Sequence, residues 1–89
     1  MTVEKLTAAS PEDVIKLAIA FFARRVPNMA AFPERVGNGT LVLRGQGGEE
    51  IVFAALATAA GTAVRGSSML FAMQINRFFT TLPAAPEAA

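Results

Sequence analysis

Four places in the chain carry residue types that could do chemistry: Glu49-Glu50, the glycine run Gly45-Gln46-Gly47-Gly48, the pair Ser67-Ser68, and the arginines Arg24-Arg25, Arg65 and Arg77. Adjacent carboxylates serve general acid and base roles only if they converge, and neighbours on a strand point to opposite faces. A serine nucleophile needs a base, and the chain has neither histidine nor cysteine, which removes the commonest base, the commonest metal ligand and the thiolate together. A phosphate-cradling glycine loop opens a helix and ends in Lys-Ser/Thr, whereas Gly45–Gly48 runs into the apolar EEIVFAALA and reads as a hairpin turn. Arg65 and Arg77 could meet an anionic head group and Arg24-Arg25 an anion or a partner, although solvated arginines are the simpler reading of each. No catalytic residue is assigned, and no metal or cofactor is expected.

By size, 89 residues make one domain, small enough to bury only about 60–65% of its unfolded surface. Apolar residues are 53% and charged residues 17%, against about 45–50% and about 25% in ordinary soluble chains. That surplus points to a shared core or an apolar ligand site. Net charge is +1 with scattered basic residues, which provides no nucleic-acid footprint. The start, MTVEKLTAAS, has no apolar run after a basic stretch, so no secretory signal is expected. The apolar run at 51–57 is far short of the ~20 residues of a membrane helix. No membrane association is expected, and the cytoplasm is the expected location.

The elements that must position these residues follow from periodicity. Residues 67–82, SSMLFAMQINRFFTTL, place Phe71, Ala72, Ile75, Phe78, Phe79 and Leu82 on one side at 100° per residue. This predicts a long amphipathic helix capped by Ser67 or Ser68 and closed by Pro83. Ser10-Pro11-Glu12-Asp13 starts a second helix running to about Arg25 and shut by Pro27, with Val14, Ile15, Ala18, Ile19, Phe21 and Phe22 on its covered arc. Residues 2–8 alternate weakly as a short strand, with Val3 and Lys5 on one side. The connector at 26–39 is expected to pin Met29 and Phe32 to the core. It leaves room for a short strand at 34–36 before the tight turn Gly37-Asn38-Gly39. Strands are expected at 40–44, 49–57 and 62–66, with Arg44 opposite Glu49.

The result is one α+β domain over 1–83, with a disordered tail at 84–89. It has an N-terminal helix, an antiparallel meander of three to five short strands and a long C-terminal amphipathic helix packed on the sheet. Alternation places Ile51, Phe53, Ala55 and Val64 toward the helices and Val52, Ala54, Leu56 and Ala63 on the opposite face. A wet sheet face ordinarily alternates polar residues with apolar ones, and this one does not. Met69 and Met73 project away from the phenylalanine seam, with Leu70 on its flank.

Ala9-Ser10-Pro11-Glu12-Asp13-Val14 at the helix start and Gly61-Thr62-Ala63-Val64-Arg65 in the last strand, with the order of elements around them, resemble the START-like helix-grip superfamily of polyketide cyclases and pollen-allergen-like proteins. The resemblance covers residues 2–82 and is to a truncated or minimal member. It implies a curved antiparallel sheet gripping the C-terminal helix, with an apolar cavity between them.

Two functional readings follow. In the first, the chain is a non-catalytic homodimeric interaction module, or a subunit docking onto another protein, through outer positions Val52, Leu56, Met69 and Met73. In the second, it carries a small apolar ligand between sheet and helix, lined by Phe21, Phe22, Phe53, Phe71, Ile75 and Phe78.

Overall fold

The structure is a computed structural model that describes residues 2–24 and 30–85. Ser10 starts helix α1 (Pro11–Arg24) as its chemistry demands: its Oγ accepts from the Asp13 N–H at 3.1 Å, and Glu12 and Asp13 occupy the first turn. Strand β1 (Thr2–Thr7) precedes it, and β2 (Ala31–Gly37), β3 (Thr40–Gly45), β4 (Glu50–Thr58), β5 (Gly61–Ser68) and helix α2 (Ala72–Thr81) follow. The strands form one antiparallel sheet in the order β1-β5-β4-β3-β2. β2 to β5 are a meander, and the chain's first strand returns to pair with the last. Both helices pack on one face, as α+β domains require of a sheet that must hide one side.

Inward residues alternate along each strand, and Leu41, Leu43, Ile51, Phe53 and Val64 are all buried. Against them lie Val14, Ala18 and Phe22 of α1 and Ile75, Phe78 and Phe79 of α2. Gly66 allows α2 to approach β5: a Cβ there would sit 2.8 Å from Ile75 Cγ2 and 2.9 Å from Phe53 Cε1. At the β2–β3 turn Gly39 takes φ of 79°, a region L side chains seldom enter, and its carbonyl accepts from the Ala55 N–H at 2.7 Å.

Five details differ from the sequence expectations. The C-terminal helix begins at Ala72, because Ser67 and Ser68 continue β5 opposite Val52 and Ile51. Ser68 still satisfies backbone donors, accepting from the Phe71 N–H at 3.2 Å, but it does so from the strand. Arg44 lies opposite Glu50, not Glu49, since Gly45 N–H closes the turn on the Glu49 carbonyl. The strand expected at 34–36 spans Ala31–Gly37, with an irregularity between Pro33 and Arg35. Phe32 is half exposed and not pinned to the core, because Ala31 takes the inward position and alternation turns Phe32 outward beside Arg44. Finally, the start of the expected disordered tail is tied down: Thr7 Oγ1 and Ala8 N–H both donate to the Pro83 carbonyl, and Ala84 bridges Thr7. The expectations for Arg25, Pro27, Met29 and residues 86–89 fall outside the described residues.

Candidate functional site: the outer face of the sheet

The face turned away from the helices has a row structure that the strand registers fix. One row crosses Leu6, Ala63 and Leu56; the next crosses Glu4, Arg65, Ala54 and Thr40; the third Thr2, Ser67, Val52, Val42 and Arg35; the fourth Glu50, Arg44 and Phe32. Its apolar centre is the β4 run Val52, Ala54 and Leu56, flanked by Val42 on β3 and Ala63 on β5, with Arg65, Ser67 and Thr40 between them. Leu56 is 70% exposed, and Leu6 is exposed too. Beyond the end of β5, Met69 is 92% and Leu70 65% exposed.

Two depressions mark this face. One of about 710 Å³ lies toward the β4–β5 turn, with Leu6, Ala54, Leu56 and Ala63 in its wall and Glu4 and Arg65 beside them. The other, about 570 Å³, lies at the opposite end, where Val52 and Ser67 meet Met69 and Leu70 across from Gly48.

Most of the charge falls in two clusters, with Arg35 on β2 beside the second. Arg65 Nη2 lies 2.7 Å from Glu4 Oε1, and Arg44 Nε lies 2.6 Å from Glu34 Oε2. Arg44 also donates to Glu50 at 3.3 Å and to the Gly48 carbonyl at 3.1 Å. The hydrogen bond from Arg44 holds the Glu34 carboxyl below the ordinary carboxylate range, and the same bond raises the guanidinium's pKa. Each cluster carries both signs, so the face has no excess charge to select an acidic or a basic partner.

The residues singled out in sequence are distributed as follows. Val52 and Met69 line the same depression, and Leu56 lies two rows away on the same face. Met73 is 74% exposed but projects from α2, on the other layer. Phe21, Phe22, Phe53, Phe71, Ile75 and Phe78 come together in the core, each at most 7% exposed. Their rings touch one another: Phe21–Phe22 centroids are 5.2 Å apart, Phe21–Phe78 5.4 Å and Phe53–Phe78 5.5 Å. Glu49 and Glu50 do not converge. The first accepts from the Gly47 N–H and the second pairs with Arg44. Arg65 is engaged by Glu4.

Sequence reading missed Leu6 and Val42 as members of the face, and both ion clusters except Arg44. The signal for Leu6 was present, since Val3 and Lys5 facing inward leave Leu6 outward. Placing it on this face required knowing that β1 adjoins β5.

No described helix is long and apolar enough to cross a membrane. Set against known protein families, characterised proteins and solved structures, the chain matches none.

Proposed function

We propose that the protein is a non-catalytic, homodimeric interaction module of the cytoplasm, built on a minimal helix-grip-like core, and that its working surface is the outer face of the sheet. The observation that supports this is the outward run Val52, Ala54 and Leu56 along β4, widened by Val42 on β3 and Ala63 on β5, on a strand where a face meant for water alternates in polar residues. The helix-grip reading draws support from the first strand pairing with the last and from α2 seated on the sheet they complete. The packed phenylalanines serve that core.

The fifteen outward positions of the four rows, with strands about 4.8 Å apart and alternate residues about 6.8 Å apart, give a flat footprint of roughly 490 Å². Accessible area exceeds flat footprint, and the surface corresponds to an interface at the small end of the range.

Light scattering across a dilution series is the test. The expected result is twice the chain mass for the wild type and a folded monomer for Val52→Glu, which puts a charge at the centre of the face. A wild type that is monomeric at every concentration overturns the proposal.

A further inference from the structure

The first strand and the segment after α2 meet at one buried hydroxyl. Thr7 is fully buried at the end of β1, and its Oγ1 both donates to the Pro83 carbonyl and accepts from the Ala9 N–H at 3.2 Å. The same carbonyl accepts from the Ala8 N–H at 3.1 Å, and Ala84 bridges Thr7 in the antiparallel sense. We infer that residues 83–85 are a latch on the free edge of β1: closed, it holds the strand in the sheet from both sides, and its opening releases β1 as one unit, more readily than the central strands open.

Strand β1 is separable because little apolar surface holds it. It lies at the edge of the sheet, and the buried hydrophobic cluster takes no member from it, with only Val3 packed against that cluster. Segments with few buried contacts are the ones that open locally. Hydrogen bonds therefore decide how firmly the strand is kept. Successive N–H groups of a strand point to opposite edges. The Ala8 N–H points to Pro83, so those of Leu6 and Glu4 share that free side, while the N–H groups of Val3, Lys5 and Thr7 face Gly66, Val64 and Thr62 of β5.

The latch is fixed at its own base. Leu82, which precedes it, is buried among the core residues, so the latch holds the strand and not the reverse. On the β5 side Gly61 leaves room for it: a Cβ there would sit 2.8 Å from the Thr7 carbonyl oxygen and 3.4 Å from Ala85 Cβ. With its hydroxyl engaged as donor and acceptor at once, Thr7 cannot lift without giving up both bonds. A polar group deprived of its partner in a buried place is costly.

What the latch governs is one margin of the outer face. Leu6 lines the depression of about 710 Å³ and Glu4 holds Arg65, and both leave with β1. Opening also uncovers the edge of β5 at Thr62, Val64 and Gly66. The latch does not depend on what occupies that face.

Hydrogen exchange of single amides, followed by NMR on the full chain at one concentration for every variant, tests this. In the wild type the amides of Val3, Lys5 and Ala8 are expected to share one opening constant, larger by about tenfold or more than that of the slowest amides of β4. Thr7→Val keeps the side chain's shape and removes both hydroxyl bonds. It should speed all three amides together by about tenfold, whereas Thr7→Ser, which keeps the hydroxyl, should leave them near their wild-type rates. Val3 and Lys5 amides as slow as those of β4 in the wild type would overturn the inference before any variant is made. So would a Thr7→Val chain in which Ala8 alone, or none of the three, exchanges faster, because the latch would then hold nothing but itself.

Discussion

The two faces of this sheet are built from alternate residues of the same strands, and along the central strands they differ in side-chain size as well as in polarity. Inward positions carry Leu41, Leu43, Ile51 and Phe53; the outward residues interleaved with them are Val42, Val52 and Ala54. These three are apolar, with Thr40, Arg44, Glu50 and Arg65 beside them on the same face. The inner set interlocks with phenylalanines from two helices and leaves its members buried. The outer set is shallow, so it can lie against another flat surface but cannot interdigitate deeply. A thick, ring-filled layer specifies the fold. A thin layer of small side chains is one that two folded molecules could lay together without rearranging, as the proposed interface requires.

The sharpest way to probe the inner side of that contrast is Phe78→Ala. Phe78 is fully buried and lies against the rings of Phe21, Phe22, Phe53 and Phe79. Removing it should cost about 3–5 kcal/mol through lost burial and a residual cavity. A domain this small has a total near the low end of ~5–15 kcal/mol, so a large fall in the urea midpoint is expected. A loss under ~1 kcal/mol would mean that the ring cluster is not the keystone of the inner layer.

Gly66→Ala asks a finer question of the same layer. The added methyl would meet Ile75 and Phe53 below 3.0 Å, inside ordinary van der Waals contact. Overpacking of this kind typically costs ~1–3 kcal/mol. The expected readout is a lowered thermal midpoint at concentrations where assembly does not contribute. An unchanged or raised midpoint would show that α2 can move off β5 freely, and that the inner layer is less tightly set than its exposures indicate.

The contrast also explains what could be read without a structure. Alternation sorts Ile51, Phe53, Ala55 and Val64 from Val52, Ala54, Leu56 and Ala63 correctly, because a strand's two-residue period leaves no third option. Helix α1 was legible to within a residue because its start is written in local chemistry. Helix α2 was not legible at its start, since serine suits both a cap and a strand. Here pairing of Ser67 with Thr2 and Val52, and of Ser68 with Ile51, prevails over capping propensity. Phe32 was misplaced because residue type suggests burial, whereas its register beside Arg44 decides otherwise. The placement of the ion clusters was out of reach. Glu4 and Arg65 are 61 residues apart and meet only because β1 pairs with β5.

The smallest effect concerns the rim of the outer face, where charge replaces packing. The Arg44 hydrogen bond lowers the Glu34 pKa in the folded chain. A carboxylate so depressed contributes stability that is present above its unfolded pKa and lost as pH falls through the folded value. The window is therefore the acid side of the ordinary carboxylate range, and near-neutral pH should leave this contribution intact. Glu34 and Arg44 are both substantially exposed, so solvent and salt screen the pair. The thermal midpoint should barely respond, and the informative readout is site-specific: carboxyl carbon shifts of Glu34 followed by NMR as pH falls. The midpoint should lie below that of a free glutamate, and Arg44→Gln should return it to the ordinary range. High salt should move it the same way. An unshifted Glu34 that ignores Arg44→Gln would mean that the rim pair does not hold in solution.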